Sequence, residues 1–121
     1  MFGSVQLSLV AAIYRLTSGF PDSERFGLTN QLRRAAVSIA SNIAEGYGRS
    51  SRGEYLQFLG HARGSNCELQ TQLTIAEHLG SGSVQLRKSV FDLSEEVSRM
   101  VVAMMNTLKP KGSTAIRTGV R

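Results

Sequence analysis

Apolar residues recur along this chain at steps of three and four, in four blocks parted by glycine, proline and serine. That spacing is the signature of amphipathic α-helices, whose residues i, i+3, i+4 and i+7 share one face. The first block spans about Ser4 to Thr17, with Val5, Leu9, Ala12, Ile13 and Leu16 in register, and ends at Gly19, Phe20 and Pro21. The second begins at Ser23 or Gly27 and reaches Tyr47, with Leu28, Leu32, Ala35, Ala36, Ile39, Ile43 and Tyr47 along one side. Ala35, Ala36, Ala40 and Ala44 keep this helix thin, and Gly46 and Gly48 read as its stop.

The third block has a start signal of its own. Ser51, Arg52, Gly53 and Glu54 form the S-x-x-E of a capping box, in which each side chain can take the other residue's orphan amide. From there Tyr55, Leu59, Ala62, Asn66, Leu69, Leu73 and Ala76 make one stripe as far as Leu79, with Asn66 its polar exception. Gly80-Ser81-Gly82 breaks the chain and Ser83 is placed to cap a fourth helix. There Leu86, Val90, Leu93, Val97, Met100, Met104 and Leu108 alternate by four and three, apart from a last step of four, which is the seam of a coiled coil or bundle. Pro110 stops it.

Four long helices with short links predict an all-α, antiparallel, up-down-up-down four-helix bundle over residues 1–108. Residues 109–121 lack periodicity and are expected to form a flexible basic tail. The first helix is short and ordinary, so a three-helix bundle is the alternative. No alternation of strand length is present.

At 121 residues, 41% of them hydrophobic, the chain suffices for one core. No apolar run approaches the ~20 residues that cross a bilayer. The opening MFGSVQLSLVAAIYRL lacks a basic lead, and Gln6 and Ser8 interrupt it, so it reads as amphipathic helix and not as a secretory signal. A single cysteine, Cys67, excludes an internal disulfide and points to a reducing cytoplasm; one position off the core stripe, it reads as a small buried thiol. The net charge of +5 is unevenly placed. Lys109, Lys111, Arg117 and Arg121 give the tail +4 without an acid, and residues 25–63 also carry +4, from six arginines against Glu45 and Glu54. Residues 64–108 carry −2. Such an arrangement is either ordinary solubility or an attraction to polyphosphate.

Candidate catalytic chemistry is thin. The twelve glycines build no phosphate-cradling loop, and Gly46-Tyr47-Gly48 lies at a helix C-terminus, the wrong end for an anion. His61 and His78 stand ~25 Å apart along one helix, too far to share a metal, and read as surface or interfacial side chains. Cys67 has no identifiable base, and no Ser/His/Asp set can be argued. The reading is therefore a non-enzymatic protein with no catalytic residue, metal, cofactor or small-molecule substrate. The unusual stretch is RRAAVSIASNIAEGYGR, from Arg33 to Arg49, where Ser38, Asn42 and Glu45 form a polar stripe beside the apolar one. Small polar groups suit tight helix–helix contact, with Ser65, Asn66 and Glu68 on the third helix as partners. A buried Glu45 would require an arginine, from Arg33, Arg34, Arg49, Arg63 or another subunit.

These residues also carry a resemblance. Phe20, Pro21 and Glu24, the RRAAVSI-x-SNIAEG-x-GR run from Arg33, the Glu54–Ser65 element and Glu68–Leu73 resemble the four-helix-bundle proteins encoded in intervening sequences of bacterial 23S ribosomal RNA genes. The resemblance covers roughly residues 13–108. It implies an antiparallel, left-handed four-helix bundle assembled as a homopentamer, with no catalytic residues. The chain is similar too to the accessory protein of diversity-generating retroelements, a pentamer that binds reverse transcriptase and nucleic acid. Ala40 stands where relatives place proline, and the tryptophan-bearing lead-in to the first helix is missing, so a softer kink and altered packing are expected there.

Two functions follow as expectations. In the first, a cytoplasmic homo-oligomer binds RNA, or a nucleic-acid-processing protein, through Arg33, Arg34, Arg49, Arg52, Arg63, Lys109 and Lys111. The predicted helical surface holds few aromatics for base stacking, so phosphates would dominate. In the alternative, an interaction module, the same arginines pair across subunit contacts. On either reading Ala36, Ser38, Ser41, Asn42, Glu45, Ser65 and Glu68 are expected at an oligomer interface or in a buried polar network. An enzyme would need a pocket of convergent polar groups, around Glu45 and His61.

Overall fold

In the computed structural model, residues 5–109 together with 115 and 116 are described. Helices α1 (Val5–Thr17), α2 (Leu28–Tyr47), α3 (Arg52–Leu79) and α4 (Val84–Leu108) follow in order, with a single 3₁₀ turn, Asp22–Glu24, between the first two. Each helix packs on its two neighbours and not on the helix diagonally opposite, so the four close into a ring, with α2 against α3 the broadest contact. The α1–α2 link and the α3–α4 turn meet at one end. There Gly82, at φ +78°, lets the turn lie on α1's end; a Cβ on it would stand 2.6 Å from Leu16 Cδ1 and 2.8 Å from Phe20 Cε1.

Apart from Tyr47, which is exposed, the apolar stripes of α1, α2 and α3 face inward as their spacing demands. Leu9, Ile13, Leu16, Leu32, Ile39, Ile43, Leu59 and Leu69 are at most 1% exposed. Full burial of an aliphatic side chain stabilises by about 1.5–3 kcal/mol, and α1 supplies three of these eight, so it is a full member of the bundle. The three-helix alternative is excluded.

Local signals explain the helix ends. Ser83 Oγ accepts the Leu86 amide at 3.2 Å, and Ser51 Oγ accepts the Glu54 amide at 3.1 Å. The capping box is not reciprocal as expected: the Glu54 carboxylate accepts from the Ser51 hydroxyl, at 3.3 Å, instead of from its amide. Helix α2 starts on Gly27, which has no side chain to cap it. The Glu24 carboxylate takes the role, accepting from Leu28 N at 3.1 Å.

The structure corrects four expectations. In α4 the most deeply buried line is Val90, Ser94, Val97 and Val101, while Leu86, Leu93, Met100, Met104 and Leu108 flank it half-buried. A helix of 3.6 residues per turn drifts ~20° per heptad from a strict 3.5 repeat, which carries that seam off the centre. Cys67 is exposed, because one step along the helix from the Asn66 stripe already turns a side chain to the flank. Ala36 is 0% exposed inside this chain's own core, so it is no contact for a second subunit. Gly48 caps the end of α2 as expected, with an ordinary negative φ, but Gly46 lies within the last turn and is buried. The expected basic tail falls largely on residues outside those described. Of its described members, Ile116 exchanges backbone hydrogen bonds with the Asn106 side chain.

The polar exception on α3 has its explanation across the core. Asn66 Nδ2 donates to the Ser94 carbonyl at 2.9 Å and its Oδ1 accepts from Ser94 Oγ at 2.7 Å. Gln70 Nε2 then donates to the same hydroxyl at 2.9 Å. Both ends of the buried Asn66 amide are thus satisfied, as an interior of low dielectric requires.

Candidate nucleic-acid interface

Consecutive residues on a helix point about 100° apart, so the pair Arg33 and Arg34 splits between two sides of α2. Arg33 turns toward α1. Its Nε donates to Thr17 Oγ1 at 2.8 Å, and its guanidinium carbon lies 4.4 Å from the centroid of the Tyr14 ring. Thr17 can accept because its own proton goes to the Ile13 carbonyl, at 2.8 Å. Hydrogen bond and ring together hold the guanidinium in place. Arg34 is exposed. The two arginines line a recess of about 510 Å³ with Tyr14, Asn30, Val37 and Ser38, and no carboxylate is among these residues. Neither arginine joins an ion pair among the described residues.

On the α3 side Arg34 also borders a groove of about 600 Å³ with Phe26, Asn30, Gln31, Ala35, Ser38, Glu68 and Gln72. Gln72 is only 8% exposed, and its Oε1 has no hydrogen-bond partner among the described residues. Below the groove the small polar stripe joins the helices. Ser38 and Ser65 hydroxyls lie 2.9 Å apart, and Asn42 Nδ2 donates to the Ser38 carbonyl at 2.8 Å and to its hydroxyl at 3.1 Å. Ser38, Asn42 and Ser65 therefore form one network within the chain. Ser41, Glu45 and Glu68 are exposed and outside it. Glu45 needs no partner from another helix, because Arg49 Nη2 reaches its Oε2 at 2.6 Å one turn along.

The far end of α2 gathers aromatic side chains. Tyr47 packs edge-to-face on Tyr55, with centroids 6.3 Å apart, and Phe58 meets His61 in the same manner at 5.9 Å. The Arg49 guanidinium covers the Phe58 ring at 4.8 Å. Burial, with Tyr47 beside it, pushes the Tyr55 phenol above its usual value. Gly46 makes this corner possible: a Cβ there would stand 3.0 Å from both Phe58 Cβ and Tyr55 Cδ1. Among the described residues exposed aromatics are few, as expected: Tyr14 and Tyr47 on the helices, 42% and 56% exposed, and Phe26 in the α1–α2 link, 85% exposed.

Arg52 opens α3 and is exposed, whereas Arg63 is half-buried and engaged within the fold. Lys109 follows α4; Lys111 lies outside the described residues. The seven basic candidates thus do not form one patch: Arg33 and Arg34 share a recess, while Arg49 lies at the opposite end of α2. Among the described residues no group of three metal-ligating side chains converges, and no helix is long and apolar enough to span a membrane. His78 sits against the Thr74 carbonyl, and neither Glu45 nor His61 lines the recesses beside α2.

A ring of four antiparallel helices, with Arg33 and Arg34 lining one recess beside the second, defines a helical-bundle protein. The chain belongs to the family of 23S rRNA-intervening sequence proteins, whose model matches residues 5–103. Among solved structures, a protein of unknown function from the S23 ribosomal protein family of Bacteroides thetaiotaomicron shares the fold, with a TM-score of 0.79 at 19% identity. The match covers 87% of this chain and 98% of that one. Comparison with curated proteins gives no match.

Proposed function

We propose that the chain is a non-enzymatic, cytoplasmic homo-oligomer that binds RNA through phosphate contacts from α2. The observation that carries this reading is the recess holding Arg33 and Arg34 without a carboxylate. Thr17 and Tyr14 fix the Arg33 fork in advance, so little side-chain freedom is lost when an anion binds. The resemblance supplies the pentamer as the expected assembly. Affinity dominated by phosphates falls steeply with salt. Filter binding of a structured RNA at about 50 and 200 mM salt tests this. The parent should bind at the lower salt and lose most of its affinity at the higher. An Arg33→Gln/Arg34→Gln variant should bind less tightly and with a slope smaller by about one per phosphate contact removed. Absence of binding at the lower salt overturns the proposal.

A second reading, an interaction module, is favoured by the α2–α3 groove. There Arg34 and Glu68 offer opposite charges and the buried Gln72 Oε1 lacks a donor. A second copy laid on this groove would supply both. Oligomers that persist at high salt, are indifferent to RNA and dissociate on Gln72→Leu would favour this reading over the first.

A further inference from the structure

The α2–α3 corner stands apart from the arginine recess and has a different chemistry. The link between the helices is only Gly48 to Ser51, so side chains from the end of one and the start of the next converge. Tyr47 lies half out of the fold, 56% exposed, with its ring braced edge-to-face on Tyr55. Beside it the Arg49 guanidinium lies over Phe58, and the Glu45 carboxylate, 2.6 Å away, holds that plane in position. Arg52 is exposed on the first turn of α3.

We propose that this corner is a stacking platform for unpaired nucleobases of RNA. Unstacked bases are bound on aromatic rings and on guanidinium planes, both of which the corner presents already oriented. A base in a duplex has its faces covered by its neighbours, so the corner selects single-stranded segments, loops and bulges. Arg52, exposed three residues on from Arg49, would take an adjoining phosphate, while the pairing of Arg49 with Glu45 leaves its plane, more than its charge, as the binding feature. An apolar protein helix fits less well, since the patch is capped by the Arg49 guanidinium and its paired Glu45 carboxylate. The inference rests on the RNA reading above and names the form of RNA it takes.

The test uses the full chain with labelled oligoadenylate and a duplex RNA of equal length at low salt. Tyr47→Ala should weaken oligoadenylate binding by about tenfold and leave the duplex affinity unchanged, with Tyr47→Phe near the parent. Because the chain has no tryptophan, Tyr47→Trp adds a single reporter whose emission should be quenched by oligoadenylate. If the parent binds RNA but Tyr47→Ala loses nothing and the Tyr47→Trp emission is unmoved, the platform is overturned while the RNA reading stands. If Tyr47→Ala lowers the oligomer mass in sedimentation, the corner is a subunit contact and the platform is again wrong. A parent that binds neither RNA overturns both.

Discussion

Single side chains set the ends and the register of these helices. Glu24 is the cap that Gly27 cannot provide, its carboxylate on the Leu28 amide at the positive end of α2. Glu24→Ala should lower stability by about 1 kcal/mol, read from the urea midpoint at unchanged slope. Asn66 has the opposite setting, buried and bonded to Ser94 through both amide atoms. Asn66→Ala should cost about 1–3 kcal/mol, because the Ser94 hydroxyl is left without its acceptor inside the core. Asn66→Leu combined with Ser94→Ala should be less destabilising than the sum of its two single changes, since each single change leaves the other partner of the Ser94 Oγ–Asn66 Oδ1 bond unpaired and the double change removes both. Thermal melts of the three variants beside the parent check this.

At the scale of elements, what the sequence revealed depended on whether a residue's role was local. Periodicity placed the stripes of α1, α2 and α3, and Ser51 and Ser83 marked two starts, because these are effects of one helix on itself. Roles made by two elements were not legible. Gly46 looked like a helix stop, yet its function is to let Phe58 and Tyr55 seat against α2. Nothing in the sequence marks Tyr14 as the ring on which Arg33 rests. Glu45, by contrast, pairs locally with Arg49 one turn on, one of the arginines the sequence offered for it. A signal for the aromatic corner did exist: Tyr47, Tyr55, Phe58 and His61 flank a link too short to separate them. Gly46→Ala tests that contact. Helix propensity alone favours alanine by about 1 kcal/mol, whereas crowding against the α3 backbone and Phe58 costs about 1–3 kcal/mol. A net loss of thermal stability is expected, and a gain would show that α2 and α3 can part at little cost.

For the whole molecule, charge and shape act together. The net charge is +4 over residues 25–63 and −2 over residues 64–108, an asymmetry that would orient a polyanion or a second copy. The fold was legible because four amphipathic helices with short links have few other ways to close. The interface was less so: the sequence named Arg33 and Arg34 as basic, but only the folded chain shows that they share a recess without a carboxylate. Sedimentation velocity with and without a structured RNA tests the central claim most directly, at about 50 and then 200 mM salt. The account predicts an oligomer without RNA, a heavier complex at the lower salt, and at the higher salt release of RNA with the oligomer intact. A monomer, or an oligomer whose mass RNA does not change at the lower salt, would contradict it.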